Sequence, residues 1–248
     1  MNNAFAKRLS FTSPLDDDDA DVIDNLCSRD RRVAAKRYIL RDGDQMLRFP
    51  IMLEGWAACY QIMRNGSRQI TGLLLPGDAL YFDSYPDCPA IEEIVALCPS
   101  VVAFASHEEM DRAIQSRPTI GRAMRNYGRI KNAVMATWIV NVGRRDALER
   151  MAHLICEAFA RLAMIGEVDG NSFHFPLTQD DFADVLGLTP VHVNRKLQQL
   201  RHEGLIHLRS KEMTIIDRYA LQQVAGFDET YLRPAREAPA TEDTLLGI

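Results

Sequence analysis

The pattern of apolar and polar positions changes character twice along the chain. Between residues 37 and 104, short apolar runs are separated by turn residues, which is typical of strands in a β-rich domain. The clearest case runs from Ala57 to Met63, turns at Asn65-Gly66 and returns from Gln69 to Leu75. Because a tight hairpin turn needs positive φ angles that Asn-Gly adopts readily, this segment predicts a β-hairpin. We expect a β-sandwich or barrel, which can hold a ligand or serve only as a scaffold.

The second pattern predicts a long helix from Pro118 to Asn141. Large side chains repeat along it at steps of 4, 3, 7, 4 and 3 and so form one stripe. The stripe consists of Ile120, Met124, Tyr127, Val134, Trp138 and Asn141. Such a stripe is either part of the chain's own core or the seam of a dimer, and the spacing alone does not choose between them. Gly143 interrupts the pattern, and a further helix is predicted from Arg145 to Met164.

The two ends of the chain differ in composition. A first helix is predicted after Ser13-Pro14, because Ser is a good N-cap and Pro is tolerated in a first turn. The acidic run from Asp16 to Asp19 then lies where the helix dipole favours negative charge. Residues 234–248 are rich in Pro, Ala, Glu and Thr with little apolar content, which predicts a flexible tail.

The most specific signal is the stretch from Thr178 to Gly204, TQDDFADVLGLTPVHVNRKLQQLRHEG. Thr178 caps a short helix with Asp181 as its partner, and Gly187 suits the left-handed position that ends the helix. Thr189-Pro190 then starts a second helix at once. Two helices joined by this Gly-Leu-Thr turn form a helix-turn-helix, whose second helix can enter a DNA major groove.

One face of that second helix is expected to stay exposed and to contact DNA. Val193, Leu197 and Leu200 repeat at steps of 4 and 3 and should point into the domain, which leaves the opposite face for base edges. Between His192 and Lys211, five Lys or Arg residues stand against one Glu. The predicted DNA-binding residues are Thr178, Gln179, Thr189, Val191, His192, Asn194, Arg195, Gln198, Arg209 and Lys211.

The residues after Gly204 predict a wing. Leu205 to Arg209 and Met213 to Asp217 alternate in polarity around Ser210-Lys211-Glu212, which is typical of a two-stranded hairpin. Phe173 to Phe175 can add a third strand before the helices. Arg209 and Lys211 in the wing would contact phosphates, which position a protein on DNA without reading its sequence.

Composition narrows the function classes. The chain has 248 residues, 29 Lys or Arg and 34 Asp or Glu, and its net charge of −5 gives by itself no strong indication of nucleic-acid binding. The length suggests two domains. The longest uncharged apolar stretch, Ile94 to Ala105, is shorter than the about 20 residues of a membrane span, so we expect a cytoplasmic protein with no membrane partner.

The chain offers no arrangement of residues for catalysis or for a resident cofactor. Its five cysteines are scattered, without the spacing of a zinc site or a disulfide framework, so no metal and no cofactor are expected. No region assembles a nucleophile, a base and an orienting acid, so the sequence predicts that the protein is not an enzyme.

The order of a small β domain, a long helix and a winged helix-turn-helix resembles the Crp/Fnr superfamily of bacterial transcription regulators. The resemblance extends from about Val22 to Phe227 and is most specific over residues 55–78 (GWAACYQIMRNGSRQITGLLLPGD) and 177–206 (LTQDDFADVLGLTPVHVNRKLQQLRHEGLI). It implies an α+β fold with an N-terminal cyclic-nucleotide-binding-like β jelly roll, a long central dimerisation helix and a C-terminal winged helix-turn-helix. These parts correspond to residues 15–116, 117–142 and 143–233, followed by a flexible tail, 234–248.

The resemblance also implies a function. The chain is expected to be a dimeric, sequence-specific DNA-binding transcription regulator, and the stripe on the long helix is assigned to a parallel homodimer seam. The operator would be pseudo-palindromic double-stranded DNA with half-sites about 10 base pairs apart. RNA polymerase is a further expected partner if the protein is an activator. A protein that only binds a small ligand would have no use for the exposed face that starts at Thr189-Pro190.

Departures from the family pattern bear on the signal. Cyclic-AMP-binding members follow Gly-Asp with a Gly-Glu pair and later place an arginine on the phosphate. Here Pro76-Gly77-Asp78 matches, but Tyr81-Phe82 stands at the pair and Ala90-Ile91 at the arginine position, followed by Glu92-Glu93. Dependence on a cyclic nucleotide is therefore not expected. The alternative is allosteric control by an unidentified small ligand or a redox signal at the β domain.

Two other family features are also altered. The N-terminal cysteine cluster of iron–sulfur members is represented by Cys27 alone, and no convincing pair of axial haem ligands is found. On the recognition helix, Val191 replaces an acidic residue of the best-known branches, Asn194 stands at a serine position, and Arg195 matches. The half-site sequences of those branches are therefore not carried over to this chain.

Overall fold

The computed structural model describes residues 3–80, 82 and 88–234. Within them, the helices are α1 (Ala4–Thr12), α2 (Asp17–Leu26), α3 (His107–Ser116), α4 (Pro118–Arg144), α5 (Ala147–Ala163), α6 (Gln179–Leu186), α7 (Pro190–His202) and α8 (Arg218–Ala225). The strands are β1 (Asp30–Val33), β2 (Tyr38–Leu40), β3 (Arg48–Glu54), β4 (Ala57–Ile62), β5 (Arg68–Leu74), β6 (Glu93–Ala96), β7 (Ser100–Ser106), β8 (Ser172–His174), β9 (Ile206–Arg209) and β10 (Glu212–Ile215). Predictions made for Tyr81 and for tail residues 235–248 lie outside the described residues.

The N-terminal β domain consists of two antiparallel sheets. One has the strand order β1-β7-β3 and the other β2-β6-β4-β5. Side chains from both sheets, among them Met52, Ile94 and Val102, form one fully buried cluster. This burial follows from the alternation of apolar and polar positions along each strand. The expected α+β fold, with a jelly-roll-like β domain, a long helix and a winged helix-turn-helix, is confirmed.

The predicted hairpin is present as β4 and β5, but its turn differs. Ile62 pairs with Arg68, and the amide of Met63 donates to the carbonyl of Ser67. Of the loop residues, Gly66 alone has a positive φ, of 82°. The connection is therefore a three-residue loop that ends in a left-handed glycine, and not a two-residue primed turn.

The N-terminal region contains one helix more than the sequence predicted. Helix α1 buries Phe5, Ala6 and Leu9 completely, against a cluster that includes residues of α4 and β3. The helix after Ser13-Pro14 is α2, and its N-cap is Asp16, which forms a capping box with Asp19. The predicted cap at Ser13 is wrong because the acidic run supplies a better cap three residues later.

The predicted pair of long helices is confirmed with a later break. Helix α4 continues through Gly143 to Arg144, and Asp146 caps α5 by accepting from the amides of Leu148 (2.7 Å) and Glu149 (3.1 Å). The Glu149 carboxylate accepts in return from the Asp146 amide at 2.9 Å. A reciprocal cap fixes the break more firmly than a single glycine does.

The C-terminal domain places three strands beside the helices in the order β8-β10-β9. Arg209 pairs with Glu212, so Ser210 and Lys211 form a two-residue turn with φ angles of 52° and 65°. This is the predicted wing, and β8 is the predicted extra strand, shifted by one residue. A short 3-10 turn, Glu229–Leu232, then packs against α4 and α5. Among the described helices, none has the length and apolarity needed to cross a membrane.

Candidate nucleic-acid interface

Local capping fixes the helix-turn-helix as the sequence predicted. Asp181 accepts from the Thr178 amide at 2.9 Å, while the Thr178 hydroxyl accepts from the Asp181 amide at 3.2 Å. Gly187 ends α6 with a φ of 64°. Thr189 then caps α7 by accepting from the His192 amide at 3.3 Å. The angle between the two helices is thus held by residues that lie within the motif itself.

The two faces of α7 differ as expected. Val193, Leu197 and Leu200 are buried in the cluster that includes Phe182 of α6. Of the ten predicted DNA-binding residues, His192 is partly exposed and the other nine are exposed. Val191 is 82% exposed, although an apolar side chain in water gains nothing from that position. A thymine methyl group is a suitable partner for it.

Arg195 stands free at the centre of this exposed face. Within the described part of the chain, no hydrogen bond or ion pair engages its guanidinium. All five of its N–H donors are therefore available to an external acceptor. Guanine O6 and N7 form an acceptor pair of the spacing that a guanidinium matches.

The first helix of the motif, α6, is held by the β domain. The guanidinium of Arg68, at the start of β5, lies 2.6 Å from the Asp184 carboxylate and 3.3 Å from that of Asp181. The Gln69 amide donates to the Asp184 carbonyl at 2.8 Å. This contact neutralises two acids on a helix that crosses the DNA backbone in such motifs. The sequence analysis missed it, because the partners are more than 110 positions apart.

The stripe assigned to a dimer seam lies in the chain's own core. Ile120, Met124 and Tyr127 are buried against side chains of α1 and β3, and the Trp138 indole donates to Glu157 at 3.0 Å. Asn141 is also buried, and Val134 is partly exposed. Of the two interpretations of the spacing, a stripe in the chain's own core and a dimer seam, the first therefore describes these side chains. Their assignment to a seam is corrected, because packing within the chain already occupies five of the six.

The adjacent face of α4, about 100° around the helix from the first stripe, carries a second apolar stripe. Met135 is 60% exposed, Ile139 71% and Val142 37%, at steps of 4 and 3, with exposed Val140 beside them. A continuous apolar strip on a helix is typical of an interaction surface. The same spacing rule could have found this stripe, but the larger side chains of the inner face drew the assignment away from it.

A cavity of about 780 Å³ lies between β5 and α4. Its walls are mostly apolar, with Ile70 and Leu74 on one side and Trp138 on the other, and Ile139 also lines it. Glu92 lies in the wall, where its carboxylate accepts from the Thr71 hydroxyl at 3.4 Å. Arg8, Lys131 and Arg161 also line the cavity, and Arg8 and Arg161 are already paired with the carboxylate of Asp78.

Three of the cysteines, Cys27, Cys59 and Cys156, are buried thiols. Burial raises the pKa of Cys27 and of Cys156 to about 12 and that of Cys59 well above its ordinary value. The thiolate is the nucleophile and the species that oxidises, so these three side chains remain protonated and inert at neutral pH.

Two family models match the two ends of this architecture. Residues 30–117 match the cyclic nucleotide-binding domain, and residues 149–224 match the Crp-like helix-turn-helix domain. The first covers the two sheets and α3, and the second covers the helix-turn-helix with the wing.

Known proteins match most of the chain. The transcriptional activator protein FnrL of Cereibacter sphaeroides is 28% identical over 80% of this chain and 81% of its own length. The fumarate and nitrate reduction regulatory protein of Escherichia coli is 27% identical over 88% of this chain and 87% of its own. The structure of FixK2 from Bradyrhizobium japonicum has a TM-score of 0.69 at 20% identity and covers 84% of this chain and 98% of that one, a likeness of fold.

Proposed function

The chain belongs to the Crp/Fnr superfamily and is a DNA-binding transcription regulator of that type, and we propose that it acts as a homodimer on a pseudo-palindromic operator. Regulators of this family bind DNA and act as dimers. The single observation that carries the proposal is the exposed face of α7, with Arg195 unengaged at its centre. The proposed function includes no catalytic activity. The protein is proposed to act in the bacterial cytoplasm.

Base reading is assigned to α7 and positioning to the residues around it. Arg195 and Asn194 offer donors for guanine and adenine, and Val191 offers contact with a thymine methyl. His192 and Gln198 flank them on the same face. Thr178, Gln179 and Thr189 at the helix starts, and Arg209 and Lys211 in the wing, are assigned to phosphates. Two such surfaces related by a two-fold axis would meet half-sites about 10 base pairs apart.

The dimer seam is placed on the outer stripe of α4. Met135, Ile139 and Val142 would bury against their copies in the partner, and apolar burial contributes about 25 cal/mol per Å² removed from water. The inner stripe would support this seam indirectly, because it fixes α4 on the β domain. The seam thus moves by one residue, or about 100° around the helix, from the sequence assignment, because Met135, Ile139 and Val142 directly follow Val134, Trp138 and Asn141.

The protein is proposed to act without a cyclic nucleotide. At the position where cyclic-AMP-binding relatives carry an arginine, Ala90 is buried, its amide donates to the Asp44 carbonyl at 2.9 Å and its carbonyl accepts from the Gly43 amide at 2.8 Å. Neither the side chain nor the backbone there is free for a phosphate. Control by another small ligand at the cavity, or by redox state, is the alternative function.

RNA polymerase is proposed as a further partner. The support is the relative from Cereibacter sphaeroides, which is named a transcriptional activator. An activator raises transcription by contacting the polymerase while it is bound beside a promoter.

Selection from a library of random duplexes tests the proposal. The expected result is enrichment of an inverted repeat by the wild-type protein. Ile139→Glu should give monomers in sedimentation and lose the preference for the repeat, because the seam would bury unpaired charge. Gln115→Glu, at an exposed position of α3, is the matched control and should remain dimeric. If the wild-type protein selects no preferred sequence, the proposed function is contradicted. If Ile139→Glu forms dimers of unchanged affinity, the proposed seam is contradicted.

A further inference from the structure

A buried chain of charges joins the winged domain to the β domain. Arg161 of α5 has a side chain only 11% exposed and lies 2.5 Å from the carboxylate of Asp78 in the β domain. The same guanidinium donates to the carbonyl of Leu73, near the end of β5, at 3.1 Å. It also lies 3.3 Å from Glu157, one turn back along α5. One side chain of the winged domain thus reaches two points of the β domain and one of its own helix.

The chain extends at both ends into other elements. Arg8 of α1 donates to the carbonyl of Arg161 at 2.7 Å and to the carbonyl of Pro76 at 3.1 Å, and it lies 3.8 Å from Asp78. Glu157 accepts from the Trp138 indole of α4 at 3.0 Å and from the Tyr231 hydroxyl of the 3-10 turn at 2.8 Å. Five parts of the fold therefore meet at one polar chain.

The pair between Arg161 and Asp78 is ionic. Burial acts to raise the pKa of Asp78, but attraction to Arg161 and Arg8 outweighs it and lowers that pKa, so the carboxylate stays charged. Breaking a buried pair leaves a charge without water or partner, which is strongly disfavoured. The winged domain therefore cannot rotate on the β domain without disrupting the contacts of Arg161.

A second anchor lies at the other end of the same strand. Arg68 and Gln69 at the start of β5 hold α6, while Leu73 and Asp78 at its end hold α5. Leu73 lies five positions after Arg68, which corresponds to about 17 Å along a strand. Two anchors on different helices, separated by this distance, define an orientation and not merely a contact.

We propose that Arg161 is a positioning residue for DNA binding. Through Asp78, Leu73 and Glu157 it fixes the winged domain of each protomer on β5. In the fixed orientation, both recognition helices of the dimer meet their half-sites. This rests on the proposed function. Arg161, which does not contact DNA in this proposal, thus aligns the two recognition helices for simultaneous binding to both half-sites.

The test compares a full operator with half of one. The probes are the duplex selected by the wild-type protein and the same duplex with one half-site scrambled. Arg161→Gln is expected to weaken binding to the full site about tenfold and to leave binding to the half-site within twofold, because a loosely held second domain has a lower effective concentration at its half-site. The ratio of full-site to half-site affinity of Arg161→Lys should lie between the ratios of the wild type and of Arg161→Gln. The reason is that an ammonium lacks the planar fork that engages three acceptors at once.

A distance measurement separates orientation from stability. Spin labels at Asp42→Cys in the β domain and Glu203→Cys in the winged domain, both exposed positions, report the distance between the two domains. The background carries Cys88→Ser, since Cys88 is the exposed cysteine among the described residues. One labelled protomer is mixed with excess unlabelled protein. The expected distribution is narrow for the wild type and broad for Arg161→Gln well below its melting temperature, which a loss of stability alone would not produce.

Matched variants complete the test. The guanidinium of Arg117 also meets three carboxylates, those of Asp16, Asp18 and Asp19, but within the N-terminal part, so Arg117→Gln should keep the wild-type ratio of full-site to half-site affinity. If Arg161→Gln does not fold, Glu157→Gln removes the charge at nearly constant shape and should also lower the ratio. A folded variant with an unchanged or raised ratio and a narrow distance distribution would overturn the proposal. A wild-type protein that binds both duplexes equally would instead contradict the proposed function.

Discussion

Two arginines represent two regions of this molecule with opposite requirements. Arg195 lies on the recognition surface, the exposed face of α7 that is proposed to read DNA, where the described chain leaves all of its donors unused. Arg161 lies in the docking region between the β domain and the winged domain, where its guanidinium is shared among Asp78, Glu157 and the Leu73 carbonyl. The same side chain is thus kept free in one region and fully engaged in the other.

The difference shows how a regulator can divide recognition from alignment. A surface that reads bases must keep hydrogen-bonding groups unsatisfied until DNA supplies partners, and water can satisfy them only because they are exposed. A surface that sets an orientation must satisfy its groups internally, because an unpaired buried charge destabilises the fold. Substitutions in the two regions should therefore separate stability from binding.

The largest expected effect is on stability, from Arg161→Ala. Removing the guanidinium leaves the carboxylates of Asp78 and Glu157 buried without their shared cation, which should reduce the free energy of unfolding by about 3–5 kcal/mol. Urea denaturation followed by circular dichroism measures it. Arg195→Ala is the matched control and should change the free energy of unfolding by less than about 0.5 kcal/mol. Equal stability of the two variants would remove the distinction between the regions.

The geometry of the helix-turn-helix could be predicted from the sequence because its determinants are local. The cap at Thr178, the left-handed Gly187 and the Thr189-Pro190 start all lie within twelve positions, and the spacing of Val193 and Leu197 identifies the buried face. Each feature acts through a bond or contact between residues that are close in the sequence. The spacing of residue types along the chain therefore predicts it.

The docking region could not be predicted, because its partners are distant in the chain. Arg8 and the carbonyl of Arg161 are 153 positions apart, and Asp78 and Arg161 are 83 apart. A lone arginine in α1 also breaks the apolar pattern that would have indicated this helix. The stripe on α4 was found by its spacing, but spacing identifies an apolar face without showing whether the chain's own core or a partner covers it.

The second expected effect is a pH dependence that arises inside the winged domain, beside Tyr231 of the buried polar chain. His153 of α5 is buried against Phe227 and Tyr231, and burial, with Arg145 nearby, lowers its pKa to about 4. The unfolded chain then binds a proton at a higher pH, near 6.5, than the folded chain does. Stability is therefore full above pH 6.5 and falls as the pH drops toward 4, by about 2 kcal/mol between pH 7 and pH 5.

Unfolding by urea at pH 7 and at pH 5 measures this dependence. His153→Leu should lose most of it, because the variant has no imidazole to protonate. His192→Asn, which changes a partly exposed histidine of the recognition surface, should retain it. The assignment to His153 would be contradicted by the same fall in stability in His153→Leu as in the wild type.

The third effect is on binding alone, from Arg195→Ala. If the guanidinium reads guanine, its loss should cost about 1–3 kcal/mol on the selected duplex and relax the preference at one base-pair position. Affinities for a set of single-base variants of that duplex measure both. Should all variants weaken by the same factor, Arg195 contacts a phosphate, and base reading would pass to Val191, His192 and Asn194.

The smallest effect is expected in the wing, from Lys211→Asn. Lys211 is exposed and has a φ of 65°, a conformation that Asn adopts readily, so the substitution removes the charge and keeps the turn. If the ammonium contacts a phosphate, binding should weaken equally for all base-pair variants. The slope of log affinity against log salt should fall by about one unit, because one fewer counterion is released.

Lys36→Asn provides the control, since Lys36 is also exposed, has a φ of 64° and lies in the β domain. Its slope should equal that of the wild type, and an equal reduction in both variants would show that overall charge, and not a wing contact, sets the salt dependence.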